Sequence, residues 1–364
     1  MPHSCLRIGL DARPLIKQYG GIPRYVYELV KELGQYENLT LVLFSHQPVH
    51  VPASIKAEVV IDNVYKSSPG TLWYSLRAGY LARKANLNLF WATNHIVPLG
   101  LPRNLPVVTT VHDLVYLRFP QTMDRKNLLI HKLLFASSLK RSTAIITCSK
   151  SIANEIRNAF PRQQKPLHTI FPGRLNAITP TPVPVPAAPY LLYVGAMEPR
   201  KNLNALLRGF NSLVVDKETN IKLVLVDGAP GWGKQLAVAE NIVSNIIFTG
   251  ALSDEQLAFF MQRAQALVMP SLYEGFGLPI IEAVGRCPVI ASDIPVFREL
   301  QTYMPDLQLV DFNVPSLAEK LAKAMAACNT PLNFKSPECA SQFTWPVAAE
   351  KICKLFSSLS TQGR

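Results

Sequence analysis

TPTPVPVPAAPYLLYVG, residues 179–195, carries a proline at every second or third position as far as Pro189 and then becomes an unbroken apolar run. Proline fixes φ and removes a backbone donor, so 179–189 is barred from a helix and reads as a stiff extended connector. YLLYVG behind it, closed by Gly195, has the length and bounds of a buried strand. A connector and a first strand near the midpoint of 364 residues imply two domains of ordinary size.

Both sides repeat one alternation. Before the connector, LRIGLDA, LTLVLFS, AEVVIDN, LNLFWAT, VVTTVHD and AIITCS read as buried strands, with helical stretches such as RYVYELVKEL and SIANEIRNAF between them. After it, LLYVG, KLVLVDG, IIFTG, ALVMPS and PVIAS alternate with NALLRGFNSLV, DEQLAFFMQRA and PIIEAVGR. Short apolar strands separated by amphipathic helices predict parallel sheets covered on both faces, twice over. The expected order is a first α/β domain over 1–178, the linker 179–189, a second domain over 190–342, and a helix over 343–364 that crosses back to the first. Ligands of such sheets bind at the carboxyl ends of the strands, so the expected site is the interdomain cleft.

Composition narrows the function. At 48% hydrophobic and 17% charged, the chain is no disordered polymer, and no apolar run reaches the 18 or so residues that span a bilayer. MPHSCLRIGLDARPL lacks a leader pattern and reads as a first strand. The cysteines at 5, 148, 287, 328, 339 and 353 form no CxxC pair and fit reduced, partly buried thiols; no metal-ligand spacing occurs. Of the net charge of +12, all the excess falls early. Residues 1–180 hold 22 Lys+Arg against 9 Asp+Glu, and 181–364 hold 15 against 16. The first half is therefore built to meet an anionic partner.

Neither G-x-G-x-x-G nor a Walker pattern is present, which disfavours dinucleotide and P-loop chemistry. Strand YLLYVG is followed instead by AMEPRKN, with Arg200 and Lys201 adjacent. Such a pair suits a diphosphate, Arg bidentately and Lys as a point charge; alone it better fits a solvated helix start, and its place just past a strand brings the two readings level. SLYEGFGLPIIEA, 271–283, runs from strand ALVMPS through a glycine loop to a helix opened by Pro279. Backbone N–H groups of Gly275, Phe276, Gly277 and Leu278 at that helix start would face an anion. Glu274 and Glu282 flank the loop, Glu282 in the first helical turn, and carboxylates accept from sugar hydroxyls.

Here the chain resembles the retaining glycosyltransferases of the GT-B fold, glycosyltransferase family four, whose E-x7-E motif matches Glu274 and Glu282. The likeness runs nearly end to end: QYGGIPRYVYEL (18–29), TVHDLVYLRFP (110–120), TCSKSIANEI (147–156), YVGAMEPRKNL (193–203), FTGALSDEQL (248–257) and PVIASDIPVFREL (288–300). The resemblance implies that Glu274 contacts donor-sugar hydroxyls and Glu282 the nucleotide ribose. It further implies that Arg200 and Lys201, helped by the amides of Gly277 and Leu278, neutralise the leaving diphosphate. Gly20 and Gly21 would admit close approach of the donor. His112 would stand beside the donor hydroxymethyl group and the reacting centre, and Asp113 belongs to the same motif. The implied enzyme has two Rossmann-like doubly wound domains, retains anomeric configuration without a covalent nucleophile, and takes the nucleotide sugar as co-substrate with no other cofactor. D-x-D is absent, which fits metal independence. AVGRCPVIAS is one residue shorter than the family's usual helix turn, so the helix is expected to end differently around Arg286 and Cys287.

The opening GLDARPL and the EPRKNL segment look most like bacterial mannosyltransferases, which implies GDP-mannose as donor and a glycan or lipid-linked acceptor of polysaccharide or lipopolysaccharide synthesis. Two competing assignments are a sugar-nucleotide 2-epimerase of the same fold and a non-enzymatic module for anionic surfaces. Nucleic acid is disfavoured, because no aromatic–basic interleaving occurs. On a helix over 125–141, Arg125, Lys126, Lys132 and Lys140 share one arc with Leu129 and Leu133. That mixture suits the boundary of an anionic membrane, or else leucines packed inward beneath lysine stems. The expected location is cytoplasmic, peripheral to the inner face of the membrane.

Overall fold

The computed structural model of the chain describes residues 5–18, 20–64, 70–175, 178–215, 219–226, 240–327 and 330–361. The end of the predicted strand KLVLVDG beyond Val226, Tyr19 of the glycine motif, and Cys328 lie outside the described residues. Two compact units form, Met1–Gly173 with Gln342–Arg364, and Arg174–Ser341.

The first unit is built on a seven-stranded parallel sheet of β1 (Leu6–Asp11), β2 (Leu39–Ser45), β3 (Ala57–Ile61), β4 (Leu89–Ala92), β5 (Val107–Val111), β6 (Ala144–Thr147) and β7 (Leu167–Thr169). Their order is β3-β2-β1-β4-β5-β6-β7, with Ile8 opposite both Leu41 and Leu89. Every residue of β4, β5 and β6 is buried, as expected of strands covered on both faces. The helix Gly21–Leu33 buries Tyr25, Val26, Leu29, Val30 and Leu33, a helical stripe. The C-terminal helix Trp345–Thr361 belongs to this unit: Trp345 meets Tyr25 edge-on at 6.0 Å, and Phe356 meets Trp91 at 5.7 Å.

The second unit carries β8 (Tyr190–Val194), β9 (Lys222–Val226), β10 (Ile246–Gly250), β11 (Ala266–Met269), β12 (Val289–Ser292) and β13 (Gln308–Val310), all parallel, in the order β10-β9-β8-β11-β12-β13. Leu191, Leu206, Phe210, Leu223, Val268, Ile290 and Leu321 lie in its core. In each sheet the order reverses beside the first strand, between β1 and β4 and between β8 and β11. Ligand crevices of open α/β sheets sit at such switch points.

The division falls at Gly173 and Arg174, ahead of the proline-rich segment rather than around it. Residues 178–189 take no regular structure and lie with the second unit, where the Thr181 N–H donates to the Glu255 carbonyl. A segment short of backbone donors can rest on a surface as extended chain. The helix after the glycine loop spans only Leu278–Ala283, which places Glu282 in its second turn rather than its first. It ends through Gly285 at φ +77°, whose N–H donates to the Leu332 carbonyl. That is how the shortened turn at Arg286 and Cys287 is closed.

Candidate active site

In the second unit, the C-terminal ends of β8 and β11 bring the predicted cation pair to one predicted carboxylate. Pro199–Lys201 forms a single 3-10 turn after β8, and the Leu272 N–H donates to the Arg200 carbonyl at 2.8 Å, fastening the two loops together. Lys201 Nζ lies 2.6 Å from Glu274 Oε1, and Arg200 Nη1 lies 3.6 Å from Oε2. Ser271 Oγ donates to Glu274 Oε1 at 2.7 Å, and Arg200 Nε pairs with Glu198 at 2.6 Å. Glu274 is only 8% exposed. Burial pushes its carboxyl up, but Lys201, Arg200 and Ser271 outweigh burial and hold it below its ordinary value. The two cations are thus balanced by Glu274 and Glu198 before any ligand arrives. An incoming diphosphate would meet charge already gathered and desolvated, and Lys201 could exchange one oxyanion for another.

Gly277 caps the following helix at φ +102°, and a Cβ there would stand 2.7 Å from Phe297 Cε1. Both the backbone and the space demand glycine. Phe276 is buried, Glu282 half-buried, and Gly275 and Leu278 complete the loop. Arg286 donates to the Glu282 carbonyl.

In the first unit, Gly20 caps the helix Gly21–Leu33 at φ +115°. His112 follows β5 and is buried at 8% exposure. Its Nε2 stands 2.8 Å from the Thr93 carbonyl and its Nδ1 3.4 Å from Cys148 Sγ, so both ring nitrogens are engaged by the protein. Asp113 Oδ1 accepts from the Val115 N–H.

The same end of the sheet holds residues the sequence reading did not single out. Asp11, fully buried at the end of β1, takes a bidentate bond from Arg13, whose guanidinium lies 3.9 Å over the Tyr74 ring. His95, three residues past β4, stands 5.6 Å from His112 and from His131, ring centre to ring centre. Its backbone is left-handed, φ +59°, uncommon outside glycine. Burial pushes the His95 imidazole down to about 3, and also lowers His112 and His131. The signal available was position alone: a polar side chain just past the end of a buried strand. Among the described residues, no group of three or more His, Cys, Asp or Glu could hold a metal ion.

The predicted basic helix spans Arg125–Arg141, with Asp124 capping it by accepting from the Lys126 and Asn127 N–H groups. Arg125, Lys126, Lys132 and Lys140 are exposed, and so are Leu129 (57%) and Leu133 (66%). The leucines are not packed beneath lysine stems. Beside this helix runs another that begins at Gly70 and continues through a π turn to Lys84, joined to it by Thr71 Oγ1 donating to Asn127 Oδ1 at 3.0 Å. It exposes Leu72 and Leu76. No described helix is long and apolar enough to cross a membrane.

Comparison with known proteins gives a consistent set of likenesses. Residues 19–174 match the pattern of Glycosyltransferase Family 4, and residues 183–336 match that of Glycosyl transferases group 1. The chain is 30% identical over 236 residues to the O-antigen chain mannosyltransferase RfbU of Salmonella typhimurium, an alignment covering 63% of this chain and 62% of that one. It is 28% identical over 329 residues to O-antigen chain mannosyltransferase B of Escherichia coli, covering 81% and 84%. Among solved structures, sucrose-phosphate synthase from Thermosynechococcus elongatus matches with a TM-score of 0.71 at 18% identity, over 98% of this chain and 100% of that one. WaaG, a glycosyltransferase involved in lipopolysaccharide biosynthesis, matches with a TM-score of 0.66 at 15% identity, over 98% of each. At those identities the structures bear on fold alone.

Proposed function

This chain belongs to glycosyltransferase family 4, with the GT-B fold, and we propose that it transfers mannose from GDP-mannose, with retention, to a glycan or lipid-linked acceptor of O-antigen or lipopolysaccharide synthesis. The observation that carries the proposal is the buried cluster of Glu274, Lys201 and Arg200 at the ends of β8 and β11. Breaking the anomeric bond leaves an oxocarbenium-like sugar and a diphosphate of growing negative charge. Arg200 and Lys201 stabilise that charge without a divalent cation, because they are already oriented and partly desolvated. Glu274, relieved of Lys201 by the phosphate, accepts from hydroxyls of the transferred sugar. Glu282 serves the ribose, and the loop Gly275–Leu278 lets backbone amides approach the phosphate. The family resemblance assigns Gly20, Gly21 and His112 to donor binding as well. The acceptor hydroxyl attacks the face the diphosphate leaves, and its proton passes to the departing phosphate oxygen. The mannosyltransferase names of the two curated relatives support the choice of sugar.

The lipid part of the proposal is supported by the exposed leucines and cations of the helix Arg125–Arg141. Residues 63–112 and 125–154 together hold 11 Lys and Arg and no Asp or Glu. Cations among headgroups with leucines below them would hold the enzyme at an anionic leaflet.

Calorimetric titration with GDP-, UDP- and dTDP-hexoses tests the donor, followed by transfer to a mannoside. GDP-mannose should bind in preference and be consumed only with acceptor present. Turnover of a nucleotide sugar to its C2 epimer without acceptor would replace the transferase with an epimerase.

A further inference from the structure

The hydrogen bonds around His131 and His95 fix which nitrogen of each ring carries its proton. His131 Nδ1 lies 2.8 Å from the Asn127 carbonyl oxygen. A carbonyl only accepts, so Nδ1 is the protonated nitrogen, and in a neutral ring Nε2 is a lone pair. That lone pair faces His95 Nδ1 at 3.4 Å. His95 Nδ1 must then donate, and the lone pair of the second ring falls on its Nε2. His95 Nε2 is buried and has no hydrogen-bond partner among the described residues. His112, its neighbour, is the opposite case: Nε2 donates to the Thr93 carbonyl and Nδ1 accepts from the Cys148 thiol.

Three observations make this more than a core histidine. The ring is 6% exposed and held neutral by burial, so its acceptor nitrogen is not rescued by protonation. A buried acceptor left without a donor has given up its hydration with nothing in return. The backbone that presents it is left-handed at φ +59°, a conformation uncommon outside glycine, and such outliers gather at ligand sites. It also stands at the switch-point end of the sheet, beside β4 and β5.

We propose that His95 Nε2 is a substrate-binding atom that accepts a hydrogen bond from a sugar hydroxyl, with His131 and the Asn127 carbonyl as positioning groups that keep its lone pair free. The inference rests on the glycosyl-transfer reading for the identity of the ligand as a sugar. It assigns no proton abstraction to His95: the hydroxyl keeps its hydrogen, and the bond fixes orientation. The acceptor sugar and the transferred sugar offer the same chemistry, and the experiment separates them.

The test uses the full chain with GDP-mannose as donor and methyl α-mannopyranoside as acceptor probe. His95→Asn suits the left-handed backbone, which Asn tolerates well, and removes the Nε2 acceptor. His131→Gln keeps a polar side chain but frees the His95 tautomer. One lost neutral hydrogen bond should raise the KM of a single substrate roughly threefold to tenfold, with thermal stability unchanged or improved. A rise for methyl mannoside identifies the acceptor sugar, and a rise for GDP-mannose the transferred one. Independently, 15N-histidine spectra of the wild-type chain should show the pyridine-type nitrogen of His95 moving upfield when the same ligand is added. Unchanged KM for both substrates in His95→Asn, with a His95 resonance indifferent to both, would overturn the inference and leave a buried water as the partner. Absence of transfer by the wild-type chain is a separate failure, which would remove the mannosyl reading and this inference with it.

Discussion

Lys201→Met keeps the aliphatic stem and removes one charge, 2.6 Å from the buried Glu274. A buried ion left wholly alone costs about 3–5 kcal/mol. Glu274 would not be alone, since Arg200 remains at 3.6 Å and Ser271 Oγ at 2.7 Å. The applicable figure is the loss of one charge-assisted hydrogen bond, about 1.5–3 kcal/mol. For a unit of this size the melting temperature should fall by roughly 3–12 °C. Glu274→Gln should cost more, because it takes one counter-charge from two cations at once. The double variant should then cost less than the sum of the singles by about 1.5–3 kcal/mol. Turnover at saturating donor should drop by about two decades or more in Lys201→Met, since the charge it removes is most valuable on the departing diphosphate. Thermal and urea unfolding give the stabilities, and steady-state transfer gives the rate. Stabilities additive to within about 0.5 kcal/mol, together with near-native turnover, would refute both the pairing and its role.

Acid sensitivity carries a definite sign. The Glu274 carboxyl is depressed in the folded chain, so its contribution is present above the unfolded value and disappears as pH falls through the folded one; in Lys201→Met that loss should begin at higher pH, which acid unfolding curves would show. Transfer should persist after dialysis against excess EDTA, whereas complete loss restored by manganese or magnesium would contradict the role given to Arg200 and Lys201. Sedimentation with anionic vesicles should weaken steeply with salt and when Arg125, Lys126, Lys132 and Lys140 become Gln together. Leu129→Ser with Leu133→Ser should weaken the binding that remains at high salt, and vesicle binding indifferent to all three changes would return the helix to ordinary solvent.

Much of the architecture was legible because buried parallel strands are written as apolar runs. LTLVLFS, VVTTV, AIIT and ALVM read as strands and are strands. LHT and QLV were missed, being three residues long at sheet edges, where half-burial leaves room for His168 and Gln308. The helix from Gly70 to Lys84 escaped notice because glycines interrupt it and its leucines face outward, inverting the pattern that betrays a packed helix. Of the site, Glu274, Arg200 and Lys201 were found from loops at strand ends, but their mutual contact was not, since 73 positions separate Lys201 from Glu274. His95 carries only its place just past a buried strand, and His131 no linear signal at all. Their relation exists only once β4 and the helix Arg125–Arg141 are set side by side.

The return of the C-terminal helix has a consequence for synthesis. Tyr25 and Trp91 lie early in the chain, yet the side chains that cover them, Trp345 and Phe356, leave the ribosome only after the whole of the second unit. The second unit is contiguous and can close while translation continues, whereas the first must wait with part of its apolar interior uncovered. A nascent chain arrested before residue 345 should therefore yield a protease-resistant second unit attached to a first unit that is still open, and chaperones should be drawn to the first unit until the helix Trp345–Thr361 arrives.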